Sequence, residues 1–147
     1  RKQRDNRASV LTHSAFAGQQ RFGTSIWSGD IYASWDVLKK QLVAGLNICM
    51  TGIPYWTTDI GGFRVRSREN SGEGTGEIGT EIHRNISSCD GGYAKGLKDS
   101  AYLELYTRWF QYGALSPIFR AHGTEVPREI WHFGCINDSS NNQTNVL

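Results

Sequence analysis

The chain has 147 residues, of which 38% are hydrophobic and 20% are charged, a composition that excludes a disordered or collagen-like chain. Its 16 basic and 14 acidic residues leave a net charge of +2, so no nucleic-acid partner is expected. No run approaches the ~18 apolar residues of a membrane span, and Cys49, Cys89 and Cys135 form no C-x-x-C pair, so we expect no membrane partner and no metal.

Aromatic residues are the unusual part of this composition. The chain has five Trp, six Tyr and six Phe. Such rings suit sugar recognition, in which a flat ring meets the apolar face of a pyranose, and they equally suit a large aromatic core. Composition alone favours the core.

The first elements of the chain follow an alternating strand and helix pattern. Residues 8–16 and 25–30 are short β-branched or apolar segments that predict two strands. Ser34 is a good N-cap, and apolar residues at helical spacing then predict a helix over 35–44. Gly45 is expected to end this helix.

A third strand and a long insertion are predicted in the middle of the chain. Residues 46–55 are largely apolar and predict a buried strand, which Pro54 should end. Residues 57–63 form a glycine-rich turn. Residues 64–98 show no sustained periodicity and are rich in Gly, Ser, Asn and Glu, so we interpret them as a long surface insertion, such as a lid.

The last elements are a second helix and a fourth strand. Ser100 is the expected cap of a helix with a broad apolar face, and Gly113 is expected to end it. Residues 117–121 predict a short strand. The polar, patternless tail 135–147 is predicted to be disordered.

Four polar residues follow the predicted strands at their carboxyl ends: His13, Asp30, Asp59 and His122. The alternation of strands and helices predicts an α/β fold with parallel strands. In a β/α barrel the loops after the strands surround one mouth, where active-site groups lie. Each residue alone is typical of a cap or a turn, but four in succession indicate a functional site.

Several motifs resemble glycoside hydrolase family 31, in the order that the family has them. They are W-S-G-D at 27–30, T-G-I-P-Y-W-T-T-D-I-G-G-F at 51–63, E-L-Y-T-R-W-F-Q-Y-G-A at 104–114 and P-I-F-R-A-H-G at 117–123. The resemblance implies a partial (β/α)8 TIM barrel, its C-terminal half, over residues 1–134. A whole barrel usually needs ~250 residues.

The resemblance also implies an activity and a catalytic residue. Enzymes of this family are retaining α-glycosidases, and this chain is most similar to those that hydrolyse terminal α-xylosyl or α-glucosyl residues. By similarity Asp30 is the general acid/base. Proton donation near neutral pH favours a carboxyl group shielded from water, and we expect Trp27 to shield it, with Gly29 leaving room for the leaving sugar.

Residues resembling the family's non-reducing sugar subsite are spread over the chain: His13, Trp27, Asp59, Phe63 and His122. Two of them supply rings and two supply hydrogen bonds to sugar hydroxyls. His13 departs from the family, which usually has Arg there, and a neutral imidazole cannot offer the bidentate fork.

Two further residues are interpreted by position. Arg120 is expected to orient the strand end or to pair with a carboxylate rather than to touch sugar. Trp56 fits the pocket and the core equally well.

The family's nucleophile aspartate lies on an earlier strand, and no motif here resembles it. We therefore expect the chain alone to be inactive and unstable, and to need the missing barrel half in cis or in trans. The expected partner is an oligosaccharide or α-glycoside substrate, and no cofactor is implied because carboxyl groups suffice for this chemistry. The alternative is an inactive, carbohydrate-binding remnant of such an enzyme.

Overall fold

The structure, a computed structural model, describes residues 9–65 and 92–133. Most of the predicted insertion and the predicted tail therefore lie outside the described residues. Within the described ranges, no helix is both long and apolar enough to cross a membrane.

The core of the fold is a small parallel sheet with the order β1-β2-β3. It consists of β1 (Val10–Thr12), β2 (Thr24–Trp27) and β3 (Trp56–Thr57). Both neighbouring pairs are parallel, with Val10 opposite Thr24 and Ile26 opposite Trp56. Parallel strands need a crossover, and a helix supplies it between β2 and β3, as the alternating sequence pattern predicted.

Helix α1 (Trp35–Met50) begins where predicted but ends later. The Ser34 hydroxyl accepts a hydrogen bond from the Val37 amide at 3.1 Å, which confirms the predicted N-cap. The predicted end at Gly45 is wrong, and so is the predicted strand over 46–55, whose first five residues are helical. A Cβ at Gly45 would lie 2.8 Å from Trp56 Nε1, so this glycine permits close packing and does not end the helix.

Trp56 belongs to the core. It is 4% exposed and packs with Ile26 and Ile53 in a small apolar cluster beneath α1. The sheet thus continues at residue 56, directly after Pro54 and Tyr55, because only there does the chain reach the edge of β2.

Helix α2 (Ser100–Ala114) carries the larger core. Its N-cap is Asp99, whose carboxylate accepts from the Ala101 amide at 3.1 Å, so the cap lies one residue before the predicted Ser100. Tyr102, Leu105 and Trp109 are fully buried. Gly113 does not end this helix either: it lies inside the last turn, where a Cβ would be 2.5 Å from Ile60 Cδ1.

The predicted strand over 117–121 is wrong as a strand. Only Ala121 pairs, in an isolated parallel bridge with Ile60, supported by the Ile60 amide donating to the Arg120 carbonyl at 3.3 Å. This single contact still places Arg120 and His122 beside the end of β3. The described 3-10 helices span Gln19–Phe22, Gly96–Lys98 and Ile130–His132.

Candidate active site

The predicted site residues lie at one edge of the sheet. His13 follows β1, Asp30 follows β2 by three residues, and Asp59 follows β3 by two. His122 comes directly after the bridge between Ile60 and Ala121. The carboxyl ends of parallel strands share an edge, so the fold brings these four loops to the same place.

Asp59 is the most deeply buried polar group of this edge, with 0% exposure. Arg120 Nη1 donates to its Oδ1 at 2.5 Å, which confirms the predicted pairing of Arg120 with a carboxylate. The second oxygen, Oδ2, is buried and has no hydrogen-bond partner within the described ranges. Half of this carboxylate is therefore paired with Arg120, and half is buried without a pairing donor among the described residues.

Burial raises the pKa of Asp59 above its usual value. The positive charges of Arg120 and His122 act in the opposite direction, but burial has the larger effect. The negative charge of Asp30 adds to the rise. This coupling shows that Asp30, Asp59 and His122 share one electrostatic environment.

Asp30 itself is exposed in this structure, so the expected shielding of its carboxyl group by Trp27 is wrong. Gly29 also differs from expectation: at φ 81°, its missing Cβ would lie 2.4 Å from His13 Cε1. The space that this glycine leaves is filled by the His13 ring.

Trp27 lies between two basic side chains. The His13 ring meets it edge-on, with ring centroids 3.8 Å apart at an interplanar angle of 72°. The Arg120 guanidinium makes a cation–π contact with Trp27 and lies 5.7 Å from the centroid of the Trp27 ring. Trp27 Nε1 is buried without a partner in the described part of the chain. His13, Trp27, Arg120 and Asp59 therefore form one continuous contact chain.

Phe63 and His122 form the second part of the site. Their ring centroids lie 5.4 Å apart at 36°, with Phe63 half-buried and His122 exposed. The structure therefore groups four of the predicted residues in two pairs of rings. The link of Asp30 to the site is the effect of its charge on Asp59.

One residue beside the site was not expected from the sequence. Arg128 is 5% exposed and bonds to the main chain of the Phe63 loop, with its Nη2 donating to the Gly62 carbonyl at 2.9 Å. An arginine that follows a proline gives no indication in the sequence that it will bind backbone carbonyls. Only the fold reveals it, because its partners are backbone carbonyls.

The arrangement offers an unpaired carboxylate oxygen, an exposed carboxyl group and aromatic rings, which together suit a neutral polyhydroxylated ligand. In the described part of the chain, no group of three or more His, Cys, Asp or Glu could hold a metal ion.

Comparison with known proteins gives the family of the chain. Residues 1–146 match the family described as glycosyl hydrolases family 31 TIM-barrel domain. The chain is 39% identical over 129 residues to an α-xylosidase of Saccharolobus solfataricus, covering 88% of this chain and 14% of that protein. An uncharacterized family 31 glucosidase of Pseudescherichia vulneris is 37% identical over 128 residues, covering 87% and 19%.

A solved structure agrees with these relatives. The family 31 α-xylosidase of Xanthomonas citri superposes with a TM-score of 0.60 at 38% identity, covering 84% of this chain and 11% of that one. The chain thus spans less than a fifth of the length of the relatives that it matches. Its three parallel strands are part of a TIM barrel, as predicted.

Proposed function

This chain belongs to glycoside hydrolase family 31, and we propose that it is the C-terminal part of the catalytic barrel of a retaining α-glycosidase. The substrate would be an α-glycoside with a terminal xylosyl or glucosyl residue, as suits a family whose relatives here include an α-xylosidase and a glucosidase. The chain supplies one wall of the sugar pocket and one of the two catalytic carboxyl groups.

The observation that carries this proposal is the half-paired carboxylate of Asp59. A buried acceptor without a partner costs about 1–3 kcal/mol, and the empty oxygen of Asp59 would recover that energy by accepting from a sugar hydroxyl. Arg120 holds the other oxygen and so fixes its direction. The rings of Trp27 and Phe63 would shape the pocket around it.

Asp30 is the proposed general acid/base. Retaining hydrolysis needs two carboxyl groups ~5–5.5 Å apart, one to attack the anomeric carbon and one to protonate the leaving oxygen. Asp30 is exposed at the strand edge and its charge reaches Asp59, so it can meet a glycosidic oxygen of a sugar held there. The nucleophile would come from the other barrel half, in cis or in trans.

A chimera tests the proposal. The chain replaces the matching segment of the Saccharolobus solfataricus α-xylosidase, and hydrolysis of methyl α-xyloside and methyl α-glucoside, whose leaving group must be protonated, is measured. We expect turnover, and we expect Asp30→Asn to lower kcat by ~10²–10⁴-fold, as removal of a general acid does. A substrate whose leaving group needs no proton should be affected less in its first step.

Asp36→Asn is the matched control, because Asp36 pairs with Lys40 on the surface of α1 at 2.5 Å. It should leave kcat unchanged. Equal kcat values for the two variants would remove Asp30 from the mechanism.

The alternative function is a carbohydrate-binding remnant. The exposure of Asp30 and the histidine at position 13 favour it. The same chimera separates the two functions, since a remnant would bind xylose in calorimetry without supporting hydrolysis.

A further inference from the structure

Arg128 makes an unusual set of hydrogen bonds for an arginine. Its Nε and Nη2 donate to the Gly62 carbonyl at 3.1 and 2.9 Å. Nη2 also donates to the carbonyls of Phe63 at 3.2 Å and Thr124 at 3.3 Å, and Nη1 donates to the Val126 carbonyl. The guanidinium thus joins two separate segments of chain, residues 61–65 and residues 123–128.

Hydrogen bonds that do not involve the Arg128 guanidinium also join the same two segments. The Thr124 amide donates to the Phe63 carbonyl at 2.9 Å, and the Val65 amide donates to Glu125 Oε2 at 3.0 Å. Glu125 has a φ of 70°, a left-handed conformation that is uncommon outside glycine and costs free energy. The fold keeps this strained residue at the junction between the segments.

Two tyrosines of helix α2 also contact Arg128. The guanidinium lies 5.7 Å from the centroid of the Tyr102 ring, and the Tyr106 hydroxyl donates to the Arg128 carbonyl at 2.7 Å. In the described ranges no carboxylate lies within ion-pair distance of it. Carbonyl oxygens therefore accept the hydrogen bonds of this buried guanidinium, while the negative charges of Glu125 and Asp59 act on it from farther away. The planar fork of arginine suits such bonds better than the ammonium of lysine.

One proposed sugar-pocket ring lies on the first segment, and the other lies on the residue just before the second segment. Phe63 contributes one of the carbonyls that Arg128 binds, and His122 precedes residue 123 at the start of the other segment. The rings lie 5.4 Å apart, and the hydrogen bonds above join their backbones together with the bridge between Ile60 and Ala121. A loss of these bonds would let the two loops separate without touching the carboxyl groups.

We propose that Arg128 is a positioning residue for the sugar pocket: by joining residues 61–65 to residues 123–128, it sets the distance between the Phe63 and His122 rings. The proposal rests on the proposed function. Arg128 touches no substrate, so its effect on the reaction passes through the two rings, and it should alter substrate binding more than the chemical step.

Kinetics of the chimera test this role. Arg128→Lys keeps the charge but loses the fork, and we expect KM to rise ~10-fold, which corresponds to ~1.4 kcal/mol of lost binding free energy. We expect kcat to change less than KM. Gly123→Ala is a second variant, because its Cβ would lie 2.7 Å from Arg128 Nη2 and displace the guanidinium without removing it. It should raise KM in the same way.

Val37→Ala is the structural control. Val37 lies on the buried face of α1 and is 4% exposed. Its truncation should destabilise the fold without changing Arg128, so KM should stay unchanged. A KM for Arg128→Lys and Gly123→Ala that equals the KM of Val37→Ala would overturn the proposal.

Crystal structures of the chimera and its variants test the proposal independently of activity. The separation of the Phe63 and His122 rings should grow in Arg128→Lys or Gly123→Ala and stay at the parent value in Val37→Ala. An unchanged separation in both variants would refute the positioning role. If the unsubstituted chimera is inactive, that result counts against the proposed glycosidase function. The ring separation measured in the crystal structures would still decide whether Arg128 is a positioning residue.

Discussion

Asp59 shows how burial and pairing compete at a single residue. The Arg120 guanidinium, 2.5 Å away, favours the charged carboxylate, whereas burial favours the neutral acid and has the larger effect on the pKa. A folded-state pKa above the unfolded value means that the native state binds the proton more tightly. Stability then falls as the pH rises from the usual Asp range through the raised pKa of Asp59.

The pH dependence of stability checks this sign. In the chimera, we expect the parent to lose thermal stability relative to Asp59→Asn as the pH rises from about 3 to 7, since the usual pKa of Asp is about 3.9. Melting temperatures of both proteins across this range give the difference. A parent that gains stability over Asp59→Asn with rising pH would show that the ion pair with Arg120 dominates burial.

His13 offers a second test at the scale of one residue. Its ring fills the space at Gly29 and packs against Trp27, at a position where the resemblance to the family predicts Arg. We expect His13→Arg in the chimera to lower KM for an aryl α-xyloside by ~10-fold, because a charged hydrogen bond contributes about 1.5–3 kcal/mol.

Gln20→Arg provides a control for the added charge in the same loop, away from the strand edge, and should leave KM unchanged. An unchanged KM in His13→Arg would remove position 13 from the sugar subsite.

The site was predictable only where side chains carry the chemistry. The pairing of Arg120 with a carboxylate followed from the sequence, since both residues belong to motifs at strand ends. The role of Arg128 did not, because its partners are backbone carbonyls, which every residue has. The shielding of Asp30 failed for a different reason: exposure depends on segments that lie above the strand edge in space, not on neighbours in sequence.

At the scale of elements, glycine misled the interpretation of both helices. Gly45 and Gly113 look like helix ends in sequence, yet both lie inside helices where another side chain approaches closely. Gly45 faces Trp56 and the hydroxyl of Tyr112, each 2.8 Å from where a Cβ would be. A glycine of this kind marks contact between elements, and only the packed structure distinguishes it from a stop.

Gly45→Ala should therefore lower the stability of the protein, although alanine has the higher helix propensity. Alanine in a helix interior is favoured over glycine by about 1 kcal/mol, but here we expect the chimera to lose about 1–3 kcal/mol of stability through overpacking. Asn47→Ala, at an exposed position of the same helix, should be neutral or slightly stabilising. Chemical denaturation of both variants gives the comparison, and a stabilising Gly45→Ala would show that α1 does not pack against β3 as described.

The order and type of the elements were more predictable than their bounds. The parallel pairing of β1, β2 and β3 followed from the alternation of strands and helices. The strand expected at 117–121 is reduced to one bridge at Ala121, because a short apolar segment becomes a strand only where a partner edge faces it.

At the scale of the whole molecule, the apolar surface is large for a chain with a small sheet. Val10 and Leu11 on the edge strand β1 are 46% and 40% exposed, and Leu46 and Met50 on α1 are 69% and 87% exposed. Strands of parallel sheets are normally covered on both faces, and a TIM barrel closes eight strands so that no edge remains. The described residues provide three strands.

We therefore expect the isolated 147-residue chain to show no cooperative thermal transition and no hydrolysis of an aryl α-xyloside, in contrast to the chimera. Circular dichroism during heating and a chromogenic assay check both expectations. A sharp transition together with turnover would contradict the need for the other barrel half.

The most direct test of the account is a crystal structure of the chimera with bound xylose. We predict a sugar hydroxyl within a hydrogen-bond distance of ~2.5–3.0 Å from Asp59 Oδ2, with the Asp30 carboxyl group on the side of the anomeric oxygen. A sugar bound elsewhere, or an Asp30 side chain directed away from it into solvent, would contradict the assignment of this strand edge as a glycosidase pocket.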